Sequence, residues 1–247
     1  MATRPVLLSL LSLLPLLAAG ALAAGRCAAQ DMVFIAPTNH VMPLVELQQG
    51  QLTGGILKDI GDALAARLGR HASYLVLPSR RVPLGLQEGK ADALCYVMPA
   101  WVEGDFAWTQ PFIPDDGVVV AVPGAPVLST LQDLADVPVG TVAGYVYPQV
   151  RAVLGAHFHR SDAPAMQNNF DKLLAGRTQY AITEQLSYLY YQRQHPESRL
   201  RRDVIIESFK APCALSRFST LKLADVDKAI SAMIADGTVA AIMARYR

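Results

Sequence analysis

The chain has 247 residues, which is enough for one large domain or two small ones. Hydrophobic residues make up 52% of it and charged residues only 17%, a balance that excludes a disordered or acidic-tail protein. The formal net charge is +1 at pH 7, so there is no electrostatic basis for binding nucleic acid or an anionic membrane surface. We therefore expect a folded chain without a nucleic-acid partner.

The first 29 residues have the features of an export signal. Arg4 supplies a positive start, a run without charges covers 6–24, and small residues recur at 21–29. A membrane anchor is the alternative, because the run is long enough to span a bilayer. The small residues favour cleavage, so we predict a signal peptide at 1–29 and a mature protein in the periplasm. Its loss removes two basic residues, Arg4 and Arg26, and no acidic one, which lowers the net charge from +1 to −1.

Two cysteines, Cys95 and Cys213, remain in the predicted mature chain. In an oxidising compartment they can form one disulfide. The alternative is a pair of buried small hydrophobic side chains, a common role of free cysteine. A disulfide requires Cα atoms within about 7 Å, a distance that the sequence does not provide, so both interpretations stay open.

The first third of the chain alternates strands and helices. Residues 32–36 form a predicted strand, and 47–52 has the pattern of a hairpin turn. Apolar residues at helical spacing predict a helix over 56–68 that Gly69 closes. A second predicted strand, 73–77, lies parallel to the first if the crossover has the usual right hand.

The stretch that follows this second strand is the most informative part of the chain. Arg80 and Arg81 precede a short amphipathic helix that ends at Gly89, and 93–97 is a predicted buried strand. An open α/β sheet places its ligand beyond the carboxyl ends of its strands. Residues 96–101, at the end of this strand, are therefore expected to contribute to a binding site.

A similar pattern resumes in the second half of the chain. Its predicted elements are a strand at 118–122, a Gly/Pro-rich link, a short capped helix after Thr130, a strand at 138–142, a helix from Pro148, a helix at 170–175 and a strand at 180–183. The segments 86–93 and 173–180 share a helix–Gly–basic–strand order, and this single repeat indicates two α/β lobes. A helical tail over 224–247 is interrupted at Asp236 and Gly237.

Six short motifs occur in an order that resembles one protein family. They are Gly55-x-x-x-Asp59-Ile60, Leu86-x-x-Gly89-Lys90-x-Asp92-Ala93, Phe106-x-x-Thr109-x-Pro111-Phe112, Leu131-x-x-Leu134-x-x-x-x-Val139-Gly140, Leu174-x-Gly176-Arg177 and Asp236-Gly237-Thr238. Together they resemble the family-3 extracellular solute-binding proteins, type II periplasmic receptors that supply polar amino acids to ATP-driven uptake transporters. Each motif is weak alone, but the ordered set covers nearly the whole predicted mature chain.

The resemblance implies an α/β fold of two lobes, joined by two hinge crossings, that close around a ligand. It assigns 31–115 and 208–247 to one lobe and 116–207 to the other. It further implies a monomeric receptor rather than an enzyme, without cofactor or metal, that captures a small polar or anionic, amino-acid-like solute for a membrane permease. Two alternatives stay open: an orphan sensing subunit, and a dehydratase-type enzyme with Glu184 as general acid or base.

The resemblance also implies ligand-binding positions. They are His40 in the loop after the first strand, Tyr96 after the third strand, Tyr145 in the first turn of the second lobe, and Glu184 as the acid for a ligand ammonium group. Trp101 is a candidate apolar or cation–π wall, with packing on its own lobe as the alternative.

The sequence departs from the family where its members usually carry Thr-x-x-Arg to grip a ligand α-carboxylate. Residues 96–105 contain no arginine. Arg80 and Arg81, at the carboxyl end of a strand and the amino end of a helix, are the remaining candidates for this guanidinium, and a solvated loop pair is the alternative. If one of them pairs with a carboxylate, its replacement by alanine weakens binding at least tenfold, or about 1.4 kcal/mol.

Overall fold

The structure is a computed structural model that describes residues 1–2 and 30–247. Apart from its first two residues, the predicted signal peptide at 1–29 lies outside the described residues. Within the described part, no helix is long and apolar enough to cross a membrane.

Twelve strands and seven helices occur in the described part of the chain. The strands are β1 Asp31–Pro37, β2 Glu46–Gln48, β3 Gln51–Gly54, β4 His71–Leu77, β5 Ala93–Cys95, β6 Ala107–Trp108, β7 Ile113–Ala121, β8 Val139–Val142, β9 Arg160–Ala163, β10 Tyr180–Glu184, β11 Arg201–Ala211 and β12 Cys213–Leu215. The helices are α1 Ile56–Arg67, α2 Val82–Gln87, α3 Pro148–Leu154, α4 Met166–Leu174, α5 Gln185–Gln194, α6 Leu223–Ala235 and α7 Thr238–Arg245.

The first sheet has five strands in the order β4-β1-β5-β12-β6. β4 and β5 run parallel to β1, whereas β12 is antiparallel to β5 and β6. Successive side chains of a strand point to opposite faces, so Phe34 packs in the core shared with α1, α6 and α7. Its neighbour Ile35 packs on the other face, against Val82 and Leu86 of α2. This sheet and its helices form the first lobe.

The second sheet also has five strands, in the order β11-β7-β10-β8-β9. β8 runs parallel to β9 and β10, and β7 is antiparallel to β10 and β11. Successive side chains of β7 also point to opposite faces of this sheet and pack in two different cores. Val119 packs with Val150 of α3, and Val120 packs with Phe170 of α4. This sheet and its helices form the second lobe.

Two long strands, β7 and β11, join the lobes. They pair antiparallel along their whole lengths. Ile113 and Ala211 belong to the core of the first lobe, whereas Val119 and Val204 pack in a core of the second. Each strand therefore passes from one lobe to the other, and the two-lobed α/β fold predicted from the sequence is confirmed. The exact lobe boundaries stay a prediction.

A disulfide joins Cys95 of β5 to Cys213 of β12, with Cα atoms 3.9 Å apart. The two residues lie directly opposite each other in the antiparallel pair. Of the two interpretations left open by the sequence, the structure contains the disulfide. It fixes the end of β5 to the strand that follows the hinge strand β11.

Most predicted elements are present, with ends that differ from the prediction. β5 is shorter than predicted because the chain turns at Tyr96, whose φ of 61° is in the left-handed region. β7 begins earlier than predicted, since its polar first half pairs with β11 across the hinge. β9 was not predicted: its sequence, RSDA, has no apolar alternation, and it is held as an edge strand by pairing with β8.

Candidate ligand-binding site

A cavity of about 210 Å³ lies between the two lobes, where β1, β5, β8 and β10 end. The carboxyl ends of parallel strands are the usual ligand position in open α/β sheets. A cavity between two lobes at this position suits a small solute. Its polar, charged and aromatic lining residues are Asn39, His40, Ser79, Arg80, Tyr96, Trp101, Tyr145, Tyr147, Gln149, Thr183, Glu184, Glu207 and Phe209.

Hydrogen bonds across the cleft hold the lobes together at the cavity rim. The donors and acceptors lie in the loops after β1, β4 and β8 and at the start of α4. They are the Ser79 hydroxyl to the Ala143 carbonyl at 3.1 Å, the Met166 N–H to the Asn39 carbonyl at 3.3 Å, and the Tyr145 hydroxyl with Nδ1 of His40 at 3.1 Å. The structure is therefore a closed form of the cleft.

Gly144 permits the close approach of the lobes. Its φ is 84°, and a Cβ added there would lie 2.8 Å from the Ser79 hydroxyl oxygen and 3.1 Å from Cγ of Arg80. Those distances are too short for a side chain, so glycine is needed both for the turn after β8 and for contact with the first lobe.

Glu184 is a half-buried carboxyl group that lines the cavity, and no other described residue donates a hydrogen bond to it. It ends β10 and is the N-cap residue of α5, but its side chain does not cap that helix. Asp115 of β7 caps it instead, accepting a hydrogen bond from the Leu186 N–H at 3.1 Å. The side chain of Glu184 is therefore free to line the cavity.

Burial raises the pKa of Glu184 to about 7, against a weaker lowering by its own backbone N–H and with a small further increase from the charge of Asp115. Desolvation disfavours the charged carboxylate relative to the neutral acid. A ligand ammonium or guanidinium group would stabilise the charged form. The arrangement therefore suits a cation or a strong hydrogen-bond donor.

Asp115 is a buried carboxyl group near the cavity, and both of its oxygen atoms accept hydrogen bonds from neighbouring residues. Its Oδ2 accepts from the Tyr96 hydroxyl at 2.5 Å, and its Oδ1 accepts from the backbone N–H groups of Asp116 and Leu186. Burial raises the pKa of Asp115 to about 6, and the hydrogen bonds from Tyr96, Asp116 and Leu186 oppose this rise. Asp115 thus fixes the position of Tyr96, whose left-handed backbone is unusual for a bulky residue.

Three aromatic rings form a continuous wall on the first-lobe side. The ring centroids of Trp101 and Phe209 are 5.2 Å apart, and Tyr96 lies 6.0 Å from Phe209 and 6.4 Å from Trp101. Trp101 packs on its neighbours and also lines the cavity, and its contact with a ligand stays a prediction. Clusters of this kind can contact apolar groups or the face of a cation.

His40 is neutral at pH 7 in the closed cleft. Burial lowers its pKa to about 4. Its ring lies 5.8 Å from that of Tyr96 and 5.9 Å from that of Tyr145, so it fills the gap between an aromatic residue of each lobe. His40 therefore acts as part of the cleft wall rather than as a cationic group.

The two candidate arginines occupy different positions. Arg80 lines the mouth of the cavity with an exposed side chain, whereas Arg81 is exposed and does not line it. The structure therefore brings six of the seven predicted residues to one cavity and leaves Arg81 outside. Contact of these six with a ligand stays a prediction.

Sequence reasoning did not assign Glu207 and Phe209 to this cavity, and it gave no role to Asp115, which positions Tyr96. Glu207 and Phe209 are two positions apart on β11, and both line the cavity together with Ile206, where the pairing of β11 with β7 shifts register. Glu207 accepts a hydrogen bond from Gln149 at 2.5 Å. The register of a hinge strand against β7 was needed to place them, and the sequence contains no signal for that register.

Within residues 30–247 no group of three or more His, Cys, Asp or Glu side chains could hold a metal ion. His157 and His159 both hydrogen-bond to Asp136 on the surface of the second lobe.

No family model matches the chain, and no curated protein matches it. Solved structures do match over most of its length. An ancestral arginine-binding protein bound to arginine has 21% identity and a TM-score of 0.74, covering 89% of this chain and 98% of its own. A histidine kinase sensor domain with similarity to periplasmic binding proteins has 17% identity and a TM-score of 0.75, covering 90% and 97%.

A third neighbour is the ancestral amino acid-binding protein AncCDT-1, a precursor of cyclohexadienyl dehydratase, with 17% identity, a TM-score of 0.73 and coverage of 87% and 94%. These neighbours include amino-acid-binding proteins of the kind that the six sequence motifs resemble. At these identities the likeness establishes the fold of this chain, the two-lobed periplasmic-binding-protein fold, and leaves its ligand open.

Proposed function

We propose that this protein is a receptor that closes its two lobes around a small polar, amino-acid-like solute. The observation that carries the proposal is the cavity between the lobes, whose Glu184 carboxyl group has no hydrogen-bonding partner from another described residue. Burying such a group is unfavourable unless a partner arrives. A ligand is the natural partner in a cleft that both lobes line.

Closure is the mechanism that this arrangement supports. In an open cleft water solvates Glu184 and His40, and in the closed cleft both side chains are half-buried. A solute that pairs with Glu184 only when the lobes meet shifts the equilibrium toward the closed form by its differential affinity. The hydrogen bonds between Ser79 and Ala143 and between Tyr145 and His40 then hold the rim.

The wider role follows from the sequence resemblance. We infer that a monomeric protein is exported to the periplasm and delivers its solute to the permease of an ATP-driven uptake transporter. A sensing subunit is the rival role, favoured by the sensor-domain neighbour. Genes for a permease and an ATPase beside this one would support delivery, whereas a kinase or cyclase gene would favour sensing.

Thermal-shift screening against a library of amino acids, amines and small organic acids tests the receptor function. A true ligand at one hundred times its Kd stabilises the closed protein by about 2.7 kcal/mol, which is a clear rise in melting temperature. Calorimetry on each hit then gives its affinity. A library without any stabilising compound would contradict the proposal.

A proton-transferring enzyme is the second candidate, and the pKa of Glu184 is the observation that favours it. A carboxyl group with a pKa of about 7 can act as a general acid near neutral pH. Turnover of a prephenate-like acid by the wild-type protein, and its loss in Glu184→Gln, would establish this function. Tight binding without turnover would support the receptor instead.

A further inference from the structure

We propose that the cavity recognises an organic cation, an amine or guanidinium compound, and that a ligand carboxylate contributes little to affinity. This proposal rests on the receptor function and specifies its ligand class. It depends on how the charged side chains are distributed between the inside of the cavity and its mouth.

The charged groups inside the cavity are acidic. Glu184 and Glu207 both line it, and both are partly withdrawn from solvent. Glu207 already accepts a hydrogen bond from Gln149, so Glu184 has the greater unused capacity to accept. His40, a basic side chain of the first lobe that also lines the cavity, has its pKa lowered to about 4 by burial. A cation entering this space meets carboxyl groups and no buried positive charge among the described lining residues.

The aromatic wall completes a cation site. Tyr96, Trp101 and Phe209 are mutually packed and line the same cavity as Glu184. Aromatic faces attract ammonium and guanidinium groups, and they do so more strongly where water is excluded. The combination of a carboxyl group and aromatic faces recognises a cation with a short apolar body.

The arginine side chains near the site do not lie inside the cavity. Arg80 is exposed at the mouth, and Arg81 does not line the cavity. An ion pair made by an exposed arginine is weakened by solvent and salt. A ligand carboxylate at the mouth therefore gains little, in contrast to a carboxylate paired with a buried guanidinium, whose loss costs several orders of magnitude in affinity.

Two pairs of compounds test this directly, since each pair differs by one carboxylate. They are agmatine with L-arginine and cadaverine with L-lysine. Trp101 lines the cavity and is one of two tryptophans, so the mature chain carrying Trp108→Phe reports binding through the fluorescence of Trp101 alone. We expect at least one amine to bind no more than tenfold more weakly than its amino acid.

If arginine or lysine binds and its decarboxylated partner is more than tenfold weaker, the organic-cation proposal is wrong while the receptor function stands. If none of the four compounds binds the folded protein, the organic-cation proposal is also wrong, and the library screen decides the receptor function separately.

A matched pair of glutamine variants identifies the carboxyl group involved. Glu184→Gln should weaken binding of the tighter amine at least tenfold. Glu197→Gln, an exposed glutamate in the second lobe that faces His195, should leave its affinity unchanged. Circular dichroism confirms that both variants are folded, and equal affinities for both would overturn the assignment of Glu184.

Discussion

A buried and a half-buried carboxyl group, Asp115 and Glu184, lie near each other at the hinge side of the cleft, and they differ in what surrounds them. Asp115 accepts hydrogen bonds from the Tyr96 hydroxyl and from two backbone N–H groups. Glu184 receives no hydrogen bond from another described residue and lines the cavity. Asp115 belongs to the hinge strand β7, and Glu184 stands where β10 meets α5.

The difference separates a structural group from a group available to a ligand. Asp115 replaces Glu184 as the cap of α5, because it accepts from the Leu186 N–H. Because Asp115 provides the cap, the Glu184 side chain makes no hydrogen bond to another described residue in the folded protein. A satisfied buried polar group stabilises the fold, whereas an unsatisfied one destabilises it until a ligand binds.

The largest expected effect is on stability. Asp115→Ala leaves the Leu186 and Asp116 N–H groups and the Tyr96 hydroxyl without their acceptor, and each unpaired buried donor costs about 1–3 kcal/mol. Alanine also removes the cost of burying the Asp115 carboxyl group, which offsets part of this sum, so we expect a loss of about 2–4 kcal/mol in the free energy of unfolding by urea at pH 7. Glu184→Ala should change it by less than about 1 kcal/mol or increase it, because no hydrogen bond from another residue is lost. Equal losses of unfolding free energy in the two variants would contradict the distinction between a structural Asp115 and a Glu184 that is available to a ligand.

The next effect concerns pH. The pKa of Glu184 rises from 4.5 to about 7 on folding, so the folded protein holds this proton more tightly than the unfolded chain. The contribution of Glu184 to stability is therefore constant below pH 4.5, and it decreases as the pH rises toward 7. In the ligand-free protein, Glu184→Gln should gain up to roughly 3 kcal/mol over the wild type across this range.

The comparison with wild type is essential because other groups titrate in the same range. The lowered pKa of His40, about 4, makes stability increase with pH between about 4 and 6.5, and the raised pKa of Asp115, about 6, acts in the opposite direction. Both are present in wild type and variant, so the difference isolates Glu184. A difference that does not vary with pH would show that Glu184 has an ordinary pKa.

The smallest expected effect is at the mouth of the cavity. The sequence predicted that loss of a carboxylate-binding arginine weakens affinity at least tenfold. Because Arg80 is exposed, an ion pair there is worth about 0–1 kcal/mol, and Arg80→Ala should weaken ligand binding less than about fivefold. Arg81→Ala is the matched control, since Arg81 does not line the cavity, and it should have no effect in calorimetry. If Arg80→Ala weakens ligand binding tenfold and Arg81→Ala does not, the prediction that Arg80 pairs with a ligand carboxylate would be supported instead.

The sequence by itself determined the two-lobed fold and most of its elements. Helical spacing from Ile56, glycine stops such as Gly89 and an ordered set of motifs are local signals, and local backbone preferences act within a few residues. The family resemblance of the sequence also placed Glu184 and Tyr145 among the predicted ligand positions, and both line the cavity.

Only the tertiary structure decided how those residues are used. The pairing of Cys95 with Cys213, the cap that Asp115 provides to α5, and the placement of Phe209 and Glu207 all depend on contacts between distant segments. The neutral state of His40 and the raised pKa of Glu184 follow from burial between two lobes. Burial is a property of the closed assembly of both lobes, and no local sequence pattern encodes it.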